Sequence, residues 1–200
     1  MAIEPHLVNP KFSLLFRETF DFNDEEYNLL LSHFEIKYLK KKEYYAKAGI
    51  ICREKAYVNR GCLRSFIIDE QGHEKILSFH FEDWWVGDFD SYYSGTTATS
   101  FFQALEDCEL LEISKENFTK LEMEISKLRQ WYTYKMTRRA IATARQIEEI
   151  KTLSLEERYV GLLKKNPQLF QRVPLQYIAS YLNVEPQSLS RLRKRLVNNE

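Results

Sequence analysis

The 200-residue sequence has no apolar run approaching the ~20 residues that a membrane-spanning helix requires, so no membrane partner is expected. Its opening stretch, Met1 to Lys11, carries Glu4 and two prolines but no apolar core. That is not a signal-peptide pattern, and the expected location is the cytoplasm. Cysteine is scarce, with only Cys52, Cys62 and Cys108, an odd number at wide spacing. This argues against a disulfide framework and against a four-cysteine zinc or iron–sulfur site, and predicts three reduced, mostly buried thiols. Internal repeats and low-complexity tracts are absent. So are a Ser-His-Asp nucleophile elbow, a phosphate-binding glycine loop and a CxxC pair, and no catalytic residue is assigned. With 44% hydrophobic and 29% charged residues, the composition excludes a disordered chain.

Net charge is also absent, since 29 Lys and Arg balance 29 Asp and Glu. The balance hides a division. From Lys151 to Glu200 there are nine basic and four acidic residues, a net +5, which leaves −5 on the remainder. A basic tail on an acidic body suggests that only one part meets a polyanion.

What is present falls into three textures. The first 30-odd residues read as helical, with Asn23 or Asp24 placed to cap a helix that carries Tyr27, Leu29, Leu30 and Leu31. From Phe34 to about Ser114, alternating β-formers appear at 35–39, 56–58, 63–68, 74–81 and 101–113. Turn signals at Ala48-Gly49, Asn59-Arg60-Gly61, Asp69–Gly72 and Ser94-Gly95 separate them. Short strands at this spacing read as an antiparallel sandwich or roll, with a hairpin turning at Asp69–Gly72. From Ser114 onward the periodicity is helical. Ser114 caps a short helix with Phe118 and Leu121. A longer one then places Ile125, Leu128, Tyr132, Met136, Ala140, Ala144, Ile147 and Ile150 in one stripe. A lone helix of this length projects beyond a body this small, so residues 126–150 are expected to form a parallel dimer seam. Ser154-Leu155-Glu156-Glu157 is a capping box opening a further helix that stops before Pro167.

Residues 174–196 carry the strongest signal. Pro174 suits the first position of a helix whose inward face is Ile178, Ala179 and Leu182. Asn183, one of the few residues other than glycine that tolerate the left-handed conformation, falls at the turn, and Val184 plugs it. Pro186 starts a second helix anchored by Leu189, Leu192 and Leu196. This is the helix-turn-helix pattern at the correct spacing. At about 100° per residue, Gln187, Arg191 and Lys194 point away from the leucines, flanked by Ser188, Ser190 and Arg195. The face is donor-rich and free of acids. Glutamine bonds adenine bidentately and arginine bonds guanine in the major groove, while serine, Lys194 and Arg195 suit phosphates. The expected partner is double-stranded DNA.

The order of parts (helices, β-roll, long helix, helix-turn-helix) resembles the cyclic-AMP receptor/fumarate-nitrate regulator (Crp/Fnr) family of bacterial transcription regulators over roughly residues 15–197. The resemblance rests on Val86-Gly87-Asp88, on Cys108-Glu109-Leu110-Leu111-Glu112-Ile113-Ser114, on Leu153-Ser154-Leu155-Glu156-Glu157-Arg158 and on the helix-turn-helix. It implies an α+β fold: an N-terminal antiparallel β-roll of the cyclic-nucleotide-binding kind (double-stranded β-helix), a long dimerisation helix and a C-terminal helix-turn-helix domain. The corresponding boundaries are 1–114, 115–150 and 151–200. It further implies a homodimer, RNA polymerase as a partner, and base-reading sites at Gln187, Ser188 and Arg191. Gln187 stands where many members have Glu, which favours adenine over a cytosine partner.

Two departures matter. Cyclic-nucleotide-binding members hold ribose and phosphate with a Gly-Glu pair and a later Arg-Ser or Arg-Thr pair. Here Gly87-Asp88 occupies the first place and Ala98-Thr99 the second, so the arginine is gone. The 39 residues between Lys75 and Lys115 contain no Lys or Arg and eight acids. A cyclic phosphate therefore lacks its charge partner there, which argues against cyclic AMP as effector. The iron–sulfur mode of the family lacks its clustered cysteines. No cofactor is assigned. An effector pocket, if the roll has one, is expected at Gly87, Asp88, Ser91 and Thr99, near aromatics that include Trp84 and Trp85; an effector-free regulator fits equally. The second departure is the wing: typical members continue into a β-hairpin after the recognition helix, which this sequence does not contain before Glu200, so fewer phosphate contacts or a substitute from upstream strands are expected.

Two other classes compete. A metal-dependent β-roll enzyme would use His80 and Glu82 on one strand face with His73 seven residues earlier, but such a site wants another close histidine and His33 is far away in sequence. Each histidine reads better as a surface or core-edge residue, and no metal ligand is assigned. A protein–protein adaptor that has lost DNA binding is the third class.

Overall fold

The computed structural model describes residues 3–198 and divides into two compact units. The first is built from the chain as far as Ile67 together with Phe79–Lys135. The second is built from Ile68–Ser78 and the chain from Met136 onward.

The first unit opens with a single 3-10 turn at Pro5–Leu7, helix α1 (Pro10–Leu14) running into a π-helical turn at Leu15–Thr19, and helix α2 (Asp24–Ser32). Asn23, not Asp24, caps α2: its side chain accepts from the Glu26 N–H while the Glu26 carboxylate accepts from the Asn23 N–H, closing a capping box. Eight strands follow along the chain, of which β5 lies mostly in the second unit: β1 (Glu35–Leu39), β2 (Tyr44–Ala46), β3 (Glu54–Arg60), β4 (Leu63–Ile68), β5 (Glu74–His80), β6 (Trp85–Val86), β7 (Phe101–Ala104) and β8 (Cys108–Ser114). They form two four-stranded sheets, in the orders β1-β8-β3-β6 and β2-β7-β4-β5. The pattern at 101–113, read as one stretch, is two strands, because the chain turns at Leu105–Asp107 to cross from the second sheet to the first.

Successive residues of a strand face opposite sides, and here both sides of the first sheet are covered. Ala56, Val58, Cys108 and Leu110 face the second sheet and join Leu63, Val86, Phe102 and Ala104 in the interior of the roll. Tyr57, Leu111 and Ile113 face the other way, into an aromatic core closed by α1, α2 and the helices after β8. Hence β3 is buried along five consecutive residues instead of alternating. In the outer core Phe12, Phe16, Tyr27, Phe34, Tyr57 and Trp131 are at most 2% exposed. Ring centroids of Phe12 lie 4.7 Å from Phe16 and 4.8 Å from Tyr57, and Phe16 lies 5.2 Å from Trp131. All three cysteines are buried free thiols, as their scarcity suggested.

Ser114 caps helix α4 (Lys115–Glu124) by accepting from the Asn117 N–H. Ile125, expected inside the long helix, instead terminates α4 with an extended backbone and is 1% exposed in the core. The long helix α5 starts after it and runs 27 residues, Ser126–Thr152. Short helix α3 (Phe89–Ser94) lies between β6 and β7.

In the second unit, Ser154 opens α6 (Leu155–Lys165) through the capping box with Glu157. A short helix α7 (Leu169–Arg172) precedes α8 (Leu175–Tyr181) and α9 (Pro186–Asn198). Pro174 is the N-cap of α8, one residue earlier than the first helical position expected for it. Asn183 adopts φ +57°, the left-handed turn between the two helices. Among the described residues, no helix is long and apolar enough to cross a membrane.

Burying a phenylalanine ring contributes about 1.5–3 kcal/mol, and removing one from a dense core adds a cavity cost. Phe12→Ala is therefore expected to lower stability by about 3–5 kcal/mol, against about 1 kcal/mol for Ser154→Ala, which removes a cap. Urea unfolding followed by tryptophan fluorescence reads the first effect, because Trp84, Trp85 and Trp131 all lie in the first unit. Helical circular dichroism reads the second.

Candidate nucleic-acid interface and sensor loop

The paired helices α8 and α9 are held by a small apolar set. Ile178, Ala179 and Leu182 are at most 3% exposed, and Leu189 and Leu192 at most 2%. Ala179 is fully buried at the crossing, and its carbonyl accepts from the Val184 N–H at 3.0 Å, closing the turn. The Arg158 guanidinium donates to the Leu182 carbonyl at 3.1 Å, so α6 holds the end of α8. Leu196 is half-buried.

With the leucines inward, the opposite face of α9 is open. Gln187, Arg191 and Lys194 are exposed, and Ser188 and Ser190 are half-buried beside them. Arg195 is exposed and stands 3.8 Å from the Glu156 carboxylate, a surface pairing of little energetic weight. Arg193, which the sequence reading left aside, is exposed as well, giving α9 four outward cations and no carboxylate. Helical geometry alone places Arg193 on the flank, between the leucine side and the polar face, which is why a search for the face opposite the leucines passes over it.

A second feature had no signal in the sequence. Within this unit the segment Ile68–Ser78 meets α8 through one hydroxyl: Ser180 Oγ accepts from the Ile76 N–H at 3.1 Å and donates to the Glu74 carbonyl at 3.2 Å. The turn at its tip is the expected one. Asp69 Oδ1 accepts from the Gln71 and His73 N–H groups, and the Gly72 N–H returns to the Asp69 carbonyl.

The loop at Gly87 belongs to the first unit. Gly87 has φ +136°, a backbone conformation that strains any other residue, whereas a Cβ there would make only ordinary contact, 3.4 Å from the Glu54 carbonyl. Asp88 caps α3 and is 6% exposed. Its Oδ1 accepts from the Ser91 N–H. Its Oδ2 accepts from the Thr99 and Ser100 N–H groups, each at 3.1 Å, and from the Ser100 hydroxyl at 2.7 Å. Ser91, 1% exposed, donates to the Thr96 carbonyl and accepts from the Cys52 N–H. Burial pushes the Asp88 carboxyl up, but the donors from Ser100, Ser91 and Thr99 outweigh it and hold the group below the ordinary carboxylate range. The four residues expected around an effector are thus brought together, with Asp88, Ser91 and the Thr99 N–H bonded to each other or to the loop. Nearby, His80 Nε2 is 3.1 Å from Ser65 Oγ and its ring 5.5 Å from Phe102, while Glu82 accepts from the Gly61 N–H. Of the consecutive tryptophans, Trp84 is exposed, and Trp85 turns into the outer core, 5.0 Å from Trp131.

Fold and exposed face together define a class: an antiparallel roll of the cyclic-nucleotide-binding type followed by a long helix and a helix-turn-helix. Comparison with known proteins agrees. The cyclic nucleotide-binding domain family matches residues 36–124. The fumarate and nitrate reduction regulatory protein of Vibrio cholerae is 29% identical over 193 residues, covering 90% of this chain and 76% of that protein. Its Escherichia coli K12 namesake is 35% identical over 112 residues, 56% of this chain but only 44% of that protein. Among solved structures, the c-di-GMP-responsive global regulator CLP of Xanthomonas campestris has the same fold, with a TM-score of 0.68 at 18% identity over 88% of this chain and 93% of that one. In sequence over most of its length and in fold, the chain is similar to transcription regulators of the Crp/Fnr kind.

Replacing Asp88 by Asn leaves donors facing an amide that accepts through one oxygen. Asp88→Asn is expected to cost about 1–3 kcal/mol at neutral pH. Because the folded-state value of Asp88 is lowered, its contribution is present above the unfolded carboxylate value and is lost as pH falls through the folded one. The gap between wild type and variant should therefore narrow below about pH 4, as read by urea midpoints at several pH values.

Proposed function

We propose that this protein is a DNA-binding transcription regulator that acts as a homodimer, reads a pseudo-palindromic operator and does not respond to cyclic AMP. The observation that carries the reading is the acid-free face of α9, with Gln187, Arg191 and Lys194 exposed on a buried leucine spine. Gln187 and Arg191 are assigned to base edges with Ser188. Ser190, Lys194 and Arg195 are assigned to phosphates. In this reading residues 1–114 are the sensor, 115–150 the linking and dimerising helices and 151–200 the DNA-reading domain, with RNA polymerase as the downstream partner in the cytoplasm.

Dimerisation is supported by the change in burial along α5. Leu128 and Trp131 are buried in the first unit. Beyond Met136 the stripe is open: Ala140, Ala144, Ile147 and Ile150 are exposed, Ile147 by 50% and Ile150 by 56%. An apolar helical stripe left in water is the seam a second copy covers. The sensor loop supports the lack of a cyclic-AMP response. The Asp88 carboxylate already takes the Thr99 and Ser100 donors, and it adds negative charge where a phosphate would need a cation.

Duplexes selected from a random library should contain half-sites about 34 Å apart, with affinity that falls steeply with salt. By fluorescence anisotropy, Arg191→Ala should lose about 1–3 kcal/mol and relax discrimination at one base pair, whereas Lys194→Ala should weaken all sequences alike and reduce the salt slope by about 1. Ile147→Glu should sediment as a monomer. No duplex binding at low salt overturns the reading in favour of an adaptor.

A further inference from the structure

Lys55 is 1% exposed, on the outer face of β3, and among the described residues no carboxylate lies within ion-pair distance of it. Its Nζ sits instead among aromatic rings. It is 3.1 Å from the Phe118 centroid, 5.1 Å from Tyr92, 5.3 Å from Tyr132, 5.7 Å from Trp85 and 5.8 Å from Tyr93. It donates to the Tyr93 hydroxyl at 3.2 Å. These rings come from β6, α3, α4 and the second turn of α5, so one amine meets several of the elements packed around the root of the long helix. Neither the proposed DNA face nor the Asp88 loop uses it.

We propose that Lys55 and its aromatic cage form a proton-responsive clamp on the root of α5, closed around the neutral amine and loosened when the amine takes up a proton. An ammonium removed from water without a paired anion is costly, and the ring faces return only part of that cost. A neutral amine has no such cost and keeps its bond to Tyr93. Burial draws Lys55 down to about 7, with the Glu122 charge opposing. In an opened, hydrated cage it would regain the ordinary lysine value, so protonation favours opening.

The groups around it do not supply a competing switch. From α3, Tyr92 and Tyr93 are pushed far above neutrality, both by burial first, then Tyr92 by the Glu122 charge and Tyr93 by its hydrogen bond with Tyr132. From α4 come uncharged Phe118, the Glu122 carboxylate and Lys115, whose Nζ donates to the Tyr93 carbonyl at 3.0 Å and lies 6.0 Å from the Tyr92 ring. From α5 comes the Tyr132 phenol, from β6 the uncharged Trp85, and from β8 the uncharged Ile113, the register partner of Lys55. On the approach to β3 and its first residue are Glu54 and Cys52, the latter a thiol raised by burial.

The test needs neither DNA nor knowledge of an operator. In the full chain, lysine Cε resonances followed from pH 6 to 10 should show Lys55 titrating near neutrality, well below the others. Hydrogen exchange over Ser126–Tyr132, corrected for the intrinsic pH dependence, should show protection that is flat below pH 7 and rises by up to about tenfold per pH unit above it. Lys55→Met should fold with protection high at all pH values. The clamp is overturned if Lys55 stays charged to pH 9, if the wild-type protection is flat across the range, or if Lys55→Met keeps the wild-type pH dependence. The resonance measurement and the wild-type exchange decide the matter even if the variant fails to fold.

Discussion

The indole of Trp131 is the point on which the first unit depends. It stands 5.0 Å from Trp85 of β6, 5.2 Å from Phe16 after α1 and 6.1 Å from Phe118 of α4, at 2% exposure. An aromatic ring this enclosed fixes both where α5 begins and which of its faces turns inward. Leu128, one turn earlier and fully buried, makes the same choice, and Ile125 breaks the backbone just before it. Rotating α5 by 100°, one residue, would take both side chains out of the core and turn Arg129 or Lys127 into the place of buried Leu128. The rooting of α5 is therefore a constraint of packing.

The sheet beneath obeys the same logic. With its inner face in the roll and its outer face under helices, β3 has no solvent side, so a polar residue there must be satisfied or be small. Asn59 is satisfied, bonding the Leu7 carbonyl and the backbone of Asn9. Lys55 is the exception, carrying a potential charge with only rings and one phenol around it. A methionine would fill the same space without the desolvation cost, and the lysine thus stands out as a choice that packing did not require.

Much of this was legible before any coordinates. The capping box at Ser154–Glu157, a helix cap at Asn23 or Asp24, the turn at Asp69–Gly72 and the left-handed Asn183 are local rules in which a few adjacent residues determine their own hydrogen bonds. The leucine spacing of α9 showed its inward face for the same reason. What could not be read depends on distant partners. Ser180 gives no sign in its own neighbourhood that it will bond Ile76, more than a hundred residues away. Asp88 reads as half of a ligand-binding pair, and only the fold reveals that Ser91, Thr99 and Ser100 have all turned their donors onto it. Nothing in the residues next to Lys55 shows that α4 and α5 will close over it.

Charge completes the connection between sequence and the proposed activity. The roll is nearly free of cations from Ile76 to Ser114 while carrying eight acids there, and the four cations of α9 project from a helix without a carboxylate. In a salt solution with a Debye length of about 8–10 Å, an exposed charge acts mainly within that range, so a net charge of zero for the whole chain does not by itself describe the field at the surface of α9. A surface of equal composition with its charges evenly mixed would give α9 no field of its own, so it is the local arrangement of charge, more than its total, on which the proposed reading of a polyanion by this helix depends.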